Sequence, residues 1–290
     1  MITPLENQPM QFTEQFVTIN GLRFRYLESD NARDKPTIVC YHATGFVSEL
    51  WLPVLRELGD DYHYIALDQR GHGRSDKTAR EHTWYHTALD FQHFAWTLGL
   101  RDAIGLGHSS GATSIAVTAV REPGRIARMI LVEPTIRPRA GFGNAPTQPS
   151  PFIERTRKRR SRWANPDELK ATLGSRPPYD TWTPEMLDLF ARHATAPTAD
   201  GEIELCCAPD VEADIYRSFP AFDPWPDLLH LRAPVLVIHG TGPSVMGTTR
   251  VEEIRPVWSQ MQLVEVPEGG HLVLMEAPHK IVAAMREFLR

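Results

Sequence analysis

The chain has 290 residues, 42% hydrophobic and 23% charged, with a formal net charge of -5. That length and balance suit one or two globular domains with a large core. They exclude a mainly disordered, collagenous or coiled-coil chain, and the negative charge argues against general nucleic-acid binding. Three cysteines, Cys40, Cys206 and Cys207, are too few and too odd in number for a disulfide framework and fit a reducing compartment. No run approaches the length of a membrane span. The N-terminal stretch lacks the basic and apolar regions of a secretory signal. The sequence therefore reads as a soluble, cytoplasmic protein.

Residues 16–29 read as a β-hairpin turning at Asn20-Gly21. Thr37 to His42 is an almost wholly apolar run, as expected of a strand buried on both faces. A helical segment follows over 48–58, then a strand over 62–67, a helix over 84–98 and a strand over 102–106. Residues 110–122 read as a helix and 129–132 as a strand. From Pro134 to about Pro226 the text is rich in Pro, Arg and aromatics, and helical patterns dominate. Alternation then resumes with strands over 234–238 and 261–266 and a closing helix over 276–289. Strands alternating with helices predict a parallel α/β sheet covered on both faces. The expected division is a core of 1–133 and 227–290, with a helical cap over 134–226.

Gly107-His108-Ser109-Ser110-Gly111 matches G-x-S-x-G. It follows a strand and opens a helix, the setting in which this pattern lifts a serine above the sheet edge. By position the nucleophile is Ser109. A serine needs a base, and His271, after Gly269-Gly270 between the last strand and last helix, has the right setting. His63 and His93 read as ordinary surface or core positions. His82 and His86 are spaced for a metal, but no third ligand is evident. The third group is a carboxylate that orients the imidazole. The loop after PVLVIHG, residues 241–247, contains no acid, and Glu252 and Glu253 fall later. Glu133 ends the strand that follows the serine's helix, so parallel strands bring it to the same sheet edge. The order Ser109, Glu133, His271 suits the pattern. The bland alternative pairs Glu133 with Arg137. For an oxyanion hole, the Ser110 N–H supplies one donor. The loop His42-Ala43-Thr44-Gly45-Phe46 supplies the other, with Thr44 favoured and Ala43 as its neighbour.

These motifs resemble the α/β-hydrolase family along nearly the whole chain: HATGF at 42–46, DQRGHGRSD at 68–76, GHSSG at 107–111 and GGH at 269–271. The resemblance implies an eight-stranded, mostly parallel sheet, a helical cap after the sixth strand and a serine-acid-histidine hydrolase. No cofactor and no metal are expected. Ala43 stands where the family usually has Gly. Haloalkane dehalogenases and zearalenone lactonases are similar in placing a Glu after the sixth strand, which favours Glu133. Serine at the elbow argues against haloalkane dehalogenase or epoxide hydrolase chemistry, which uses aspartate there.

The polar turn 68–75 reads as structural. Phe46, Trp51 and His108 from the core, with Trp163, Trp182, Tyr216 and Phe219 from the cap, are candidates for an apolar pocket. The basic run from Arg155 to Arg162 reads as a solvated helix face rather than an anion site. Cys206-Cys207 reads as a pair of buried small hydrophobes. The leading expectation is a carboxylesterase or lactonase acting on an apolar small molecule, as a monomer or homodimer without nucleic-acid or membrane partners. C–C bond hydrolysis, amide hydrolysis and a non-turnover ligand receptor share the same constellation.

Overall fold

The computed structural model describes residues 10–31, 33–78, 81–136, 150–242, 251–258 and 260–290. Strands β1 (Phe12–Ile19) and β2 (Leu22–Ser29) form the expected hairpin. Asn20 and Gly21 both take positive φ, 52° and 76°, the conformation a two-residue hairpin turn needs. β3 (Thr37–Tyr41) leads through a short 3-10 turn into α1 (Leu52–Leu58). Then come β4 (His63–Leu67), α2 (Trp84–Thr97), β5 (Ala103–His108), α3 (Ser110–Arg121) and β6 (Ile126–Val132).

The following segment holds α4 (Pro151–Arg157), β7 (Arg162–Trp163), α5 (Pro166–Leu173), α6 (Pro184–His193), β8 (Thr195–Pro197), β9 (Ile203–Leu205), α7 (Pro209–Ser218) and α8 (Trp225–Leu228). β10 (Val235–Gly240), α9 (Val251–Ile254), β11 (Met261–Val266), α10 (Val273–Glu276) and α11 (Pro278–Leu289) complete the chain. The insert is not purely helical, because β7, β9 and β8 form a small antiparallel sheet. Strands of two and three residues are too short to display an alternating pattern.

The main sheet has eight strands in the order β1-β2-β4-β3-β5-β6-β10-β11. β1 pairs antiparallel with β2, and β2 with β4, while the remaining pairs are parallel. Along β3, Ile38 and Cys40 enter one hydrophobic cluster, and Val39 and Tyr41 enter the other. This two-residue period is why Thr37–Tyr41 is apolar throughout. The first cluster continues into the insert through Trp163, Trp182 and Phe190, so the insert shares a core with α1 and α11. Trp84 on α2 meets Phe219 and Phe222 in a third cluster. No helix among the described residues is long and apolar enough to cross a membrane.

Chain order reverses at the β3–β5 pair. In open α/β sheets the crevice outside the strand ends at such a point is where ligands bind.

Candidate active site

Ser109 stands at that crevice. It takes φ 53° and ψ −115° between β5 and α3. A non-glycine residue there is strained and persists only when its surroundings force it. The flanking glycines show the forcing. A Cβ on Gly107 would lie 2.5 Å from Ala112 Cα, and one on Gly111 would fall onto the Tyr41 carbonyl. The turn therefore closes only with glycine at both ends, and it aims Ser109 out of the sheet edge.

Ser109 Oγ lies 2.9 Å from His271 Nε2. His271 Nδ1 lies 3.3 Å from Glu133 Oε2. All three residues are buried. Glu133 is carried to this point by pairing: β6 lies between β5 and β10, Ser109 N–H donates to Val132 O, and Glu133 N–H donates to Ile238 O. Glu133 Oε1 also lies 2.7 Å from His239 Nδ1 and accepts from the Gly240 N–H at 2.7 Å. Burial alone would raise this carboxyl. Hydrogen bonds from His239 and His271, the electrostatic attraction of His271 and the Gly240 amide outweigh it and hold the group at about 2. The hydrogen bond to Glu133 in turn raises His239 against its partial burial. Arg137 and residues 243–247 lie outside the described residues.

His108, adjacent to the serine, is pushed down to about 3, first by burial and then by the neighbouring His271. It is therefore a neutral donor, with Nε2 2.8 Å from the His271 carbonyl, and it fixes the backbone that carries the imidazole. The loop after β3 is tied by two more neutral imidazoles. The Gly45 N–H donates to His72 Nε2 at 2.8 Å, and the Gln69 N–H donates to His42 Nε2 at 3.0 Å. Burial lowers both rings below their ordinary range.

The Thr44 N–H, which the sequence nominated for the oxyanion, donates instead to Ser110 Oγ at 3.0 Å. The Thr44 hydroxyl contacts the same oxygen. A hydroxyl at position 110 thus captures the Thr44 amide. The neighbouring Ala43 lines the cavity, and the Ser110 N–H, in the first turn of α3, has no intrahelical acceptor.

A family model described as the alpha/beta hydrolase family matches residues 38–284. The chain belongs to that family. This alpha/beta hydrolase is 23% identical to 2-(acetamidomethylene)succinate hydrolase of Mesorhizobium japonicum over 271 residues, 89% of this chain and 91% of that protein. The crystal structure of E-2-(acetamidomethylene)succinate hydrolase superposes with a TM-score of 0.79 at 21% identity, covering 96% of this chain and 99% of the other. That of an enol-lactonase from Burkholderia xenovorans gives 0.70 at 20% identity, covering 95% and 99%. At these identities the structural likenesses speak to the fold.

Above Ser109 the hydrolase holds a cavity of about 160 Å³. Phe46 and Tyr216 line it, as the sequence suggested. Trp51, His108, Trp163, Trp182 and Phe219 do not. Trp51 and Trp163 are fully buried in the core. Trp182 packs edge-on against Phe190, and Phe219 packs on Trp84 at 4.4 Å between centroids. His108 is covered by Phe46, stacked at 6.2 Å. Large apolar rings are drawn first to close the joint between insert and sheet, which removes them from the cavity wall.

Sequence reasoning passed over several residues at the site. Thr135 Oγ1 lies 2.9 Å from Ser109 Oγ. His239 faces Glu133 because Ile238 pairs with Val132 in the β6–β10 register, and that pairing could have been anticipated from two parallel strands. Phe152 and Glu212 also line the cavity from the insert, beside Tyr179, one of the cap aromatics open to that role from the sequence, and Arg159 of the basic run. Arg159 contradicts the solvated reading of its basic run, because its Nη2 lies 2.5 Å from the buried Glu212 carboxylate. The rest of the run fits that reading: Arg155 and Lys158 are exposed, and Arg160 and Arg162 meet surface carboxylates. Cys206 and Cys207 are free, buried thiols. His82 and His86 turn to the Thr78 carbonyl and the Thr83 hydroxyl, and no group able to hold a metal occurs among the described residues.

Proposed function

We propose that this alpha/beta hydrolase cleaves a small carboxylic ester or lactone through an acyl-enzyme on Ser109. The observation that carries this is the linear array Ser109 Oγ to His271 Nε2 to Glu133, at 2.9 and 3.3 Å, beneath a cavity closed by the insert. His271 Nε2 takes the serine proton as Oγ bonds to the acyl carbon. Glu133 holds the ring and stabilises the imidazolium that forms. The Ser110 N–H and the Ala43 N–H receive the developing oxyanion, each donor being worth about 10²–10³ in rate. His271 then protonates the departing alkoxide. Water, deprotonated by the same nitrogen, attacks the acyl carbon and releases the acid with Ser109 restored.

An amide substrate is the second reading, because one relative similar over most of its length carries an acetamido group in its substrate's name. The same array serves it, with His271 protonating the leaving nitrogen.

The test is intact-mass analysis after exposure to a fluorophosphonate. Wild type is expected to gain one adduct and Ser109→Ala none. Ser110→Ala, which keeps its backbone N–H, is expected to keep the adduct. Labelling of Ser109→Ala, or none on folded wild type, removes the proposal. Turnover of aryl esters, lactones and anilides by the unlabelled wild type then ranks the two substrate classes.

A further inference from the structure

We propose that the cavity above Ser109 contains a carboxylate subsite built on Arg159, so that the substrate carries a negatively charged arm beside its scissile acyl group. This deepens the reading of Ser109 as the reacting centre by naming the substrate class. Arg159 is the one arginine or lysine among the described cavity residues. Its neighbours in the run reach surface carboxylates: Arg157 meets Asp210 and Asp214, and Arg160 meets Glu168. Arg159 turns inward.

Its guanidinium is poorly used. Nη2 pairs with Glu212 Oε2 at 2.5 Å, while Nε is buried with no hydrogen-bond partner. Buried polar atoms in native proteins are nearly always satisfied, so an orphaned guanidinium N–H at a cavity points to an absent partner. A planar guanidinium offers its donors as a fork that matches a carboxylate bidentately. Phe46, Phe152, Tyr179 and Tyr216 wall the cavity, and their low polarity strengthens such a pair.

Glu212 acts as the resident counter-ion. Tyr216 donates to its Oε1 at 3.1 Å, and a Cβ on Gly45 would come within 2.8 Å of that atom, so the carboxylate is packed against the loop that carries Ala43. The ionisable groups facing the pair are Tyr179, Cys207 and Tyr216. Burial raises Glu212 above the ordinary carboxylate range. On binding, the substrate carboxylate takes over Arg159 and Glu212 takes one proton from solvent. The cavity holds one positive and one negative charge before and after, so the exchange balances.

The probes are benzoate and benzamide, which share a shape and differ in charge. Both suit a cavity near the roughly 150 Å³ that accepts benzene. Calorimetry on the full chain, in two buffers of different ionisation enthalpy, reads affinity and proton uptake. Benzoate is expected to bind about tenfold more tightly than benzamide, with proton uptake and weakening as pH rises. E212Q is expected to tighten benzoate and abolish the uptake. R159M is expected to erase the preference. E212Q moves affinity upward, so its result stands apart from any folding defect of R159M. Equal binding of the two probes, no benzoate binding at millimolar concentration, or E212Q indistinguishable from wild type overturns the subsite. Probe binding needs no chemistry, so this failure is separate from a failure of Ser109 to react.

Discussion

Glu133 bridges two imidazoles: one carboxylate oxygen lies 3.3 Å from His271 Nδ1, and the other lies 2.7 Å from His239 Nδ1. The first contact holds the His271 ring beside Ser109. The second, with the Gly240 amide, fixes the carboxylate itself. Glu133→Gln keeps the shape and removes the charge that supports the imidazolium. A fall of about 10⁴ in kcat is expected, by analogy with replacement of the buried acid in a serine protease. Steady-state turnover with circular dichroism as a folding control checks it. Near-normal turnover in a folded variant would remove Glu133 from the array.

His239 makes the array sensitive to pH through stability. Its pKa is raised in the folded state above 6.5, chiefly by the hydrogen bond to Glu133. A raised folded value means that folding favours the protonated ring. The resulting stability is fully present below about pH 6.5 and is lost as pH rises through the folded value. The difference in Tm between wild type and His239→Gln should therefore be largest in mildly acidic buffer and shrink toward alkaline pH. A difference that grows with pH would reverse the assignment.

The polar turn after β4 is expected to support the fold rather than the chemistry. Arg70 is buried, and its Nε and Nη2 donate to the two oxygens of buried Asp90 at 2.5 and 2.6 Å. Asp90→Asn strands that guanidinium. Removing one partner of a buried pair costs about 3–5 kcal/mol. Urea unfolding should register this loss, while Ser109 in the folded fraction still takes the fluorophosphonate adduct. Undiminished stability, or loss of labelling in folded protein, would contradict a structural role.

Much of this protein is written in short stretches of its chain. The glycines at 107 and 111 are required by close backbone approaches inside one turn, so GHSSG announces the elbow without any distant partner. The alternation of apolar strands and helices predicts the parallel sheet, and strand order along the chain carries Glu133 to the edge that holds Ser109. These inferences succeed because strand period, turn chemistry and parallel direction are local properties.

The cavity is another matter. Arg159 and Glu212 lie 53 residues apart and meet only because α4 and α7 pack together. Nothing in RTRKRR separates the one inward arginine from its solvated neighbours; the packing of the insert selects it. Trp51 and Trp163 fail as pocket residues for the same reason: a buried ring can fill a core or line a cavity, and its local sequence is the same in either case. Ser110 diverts the Thr44 amide through a contact between the start of α3 and the loop after β3, again beyond reach of any local pattern. Backbone conformation is governed by neighbours in the chain, and the sheet and the elbow follow from it. Which side chains share a cavity is governed by neighbours in space, and that is known only once the insert has closed over the sheet.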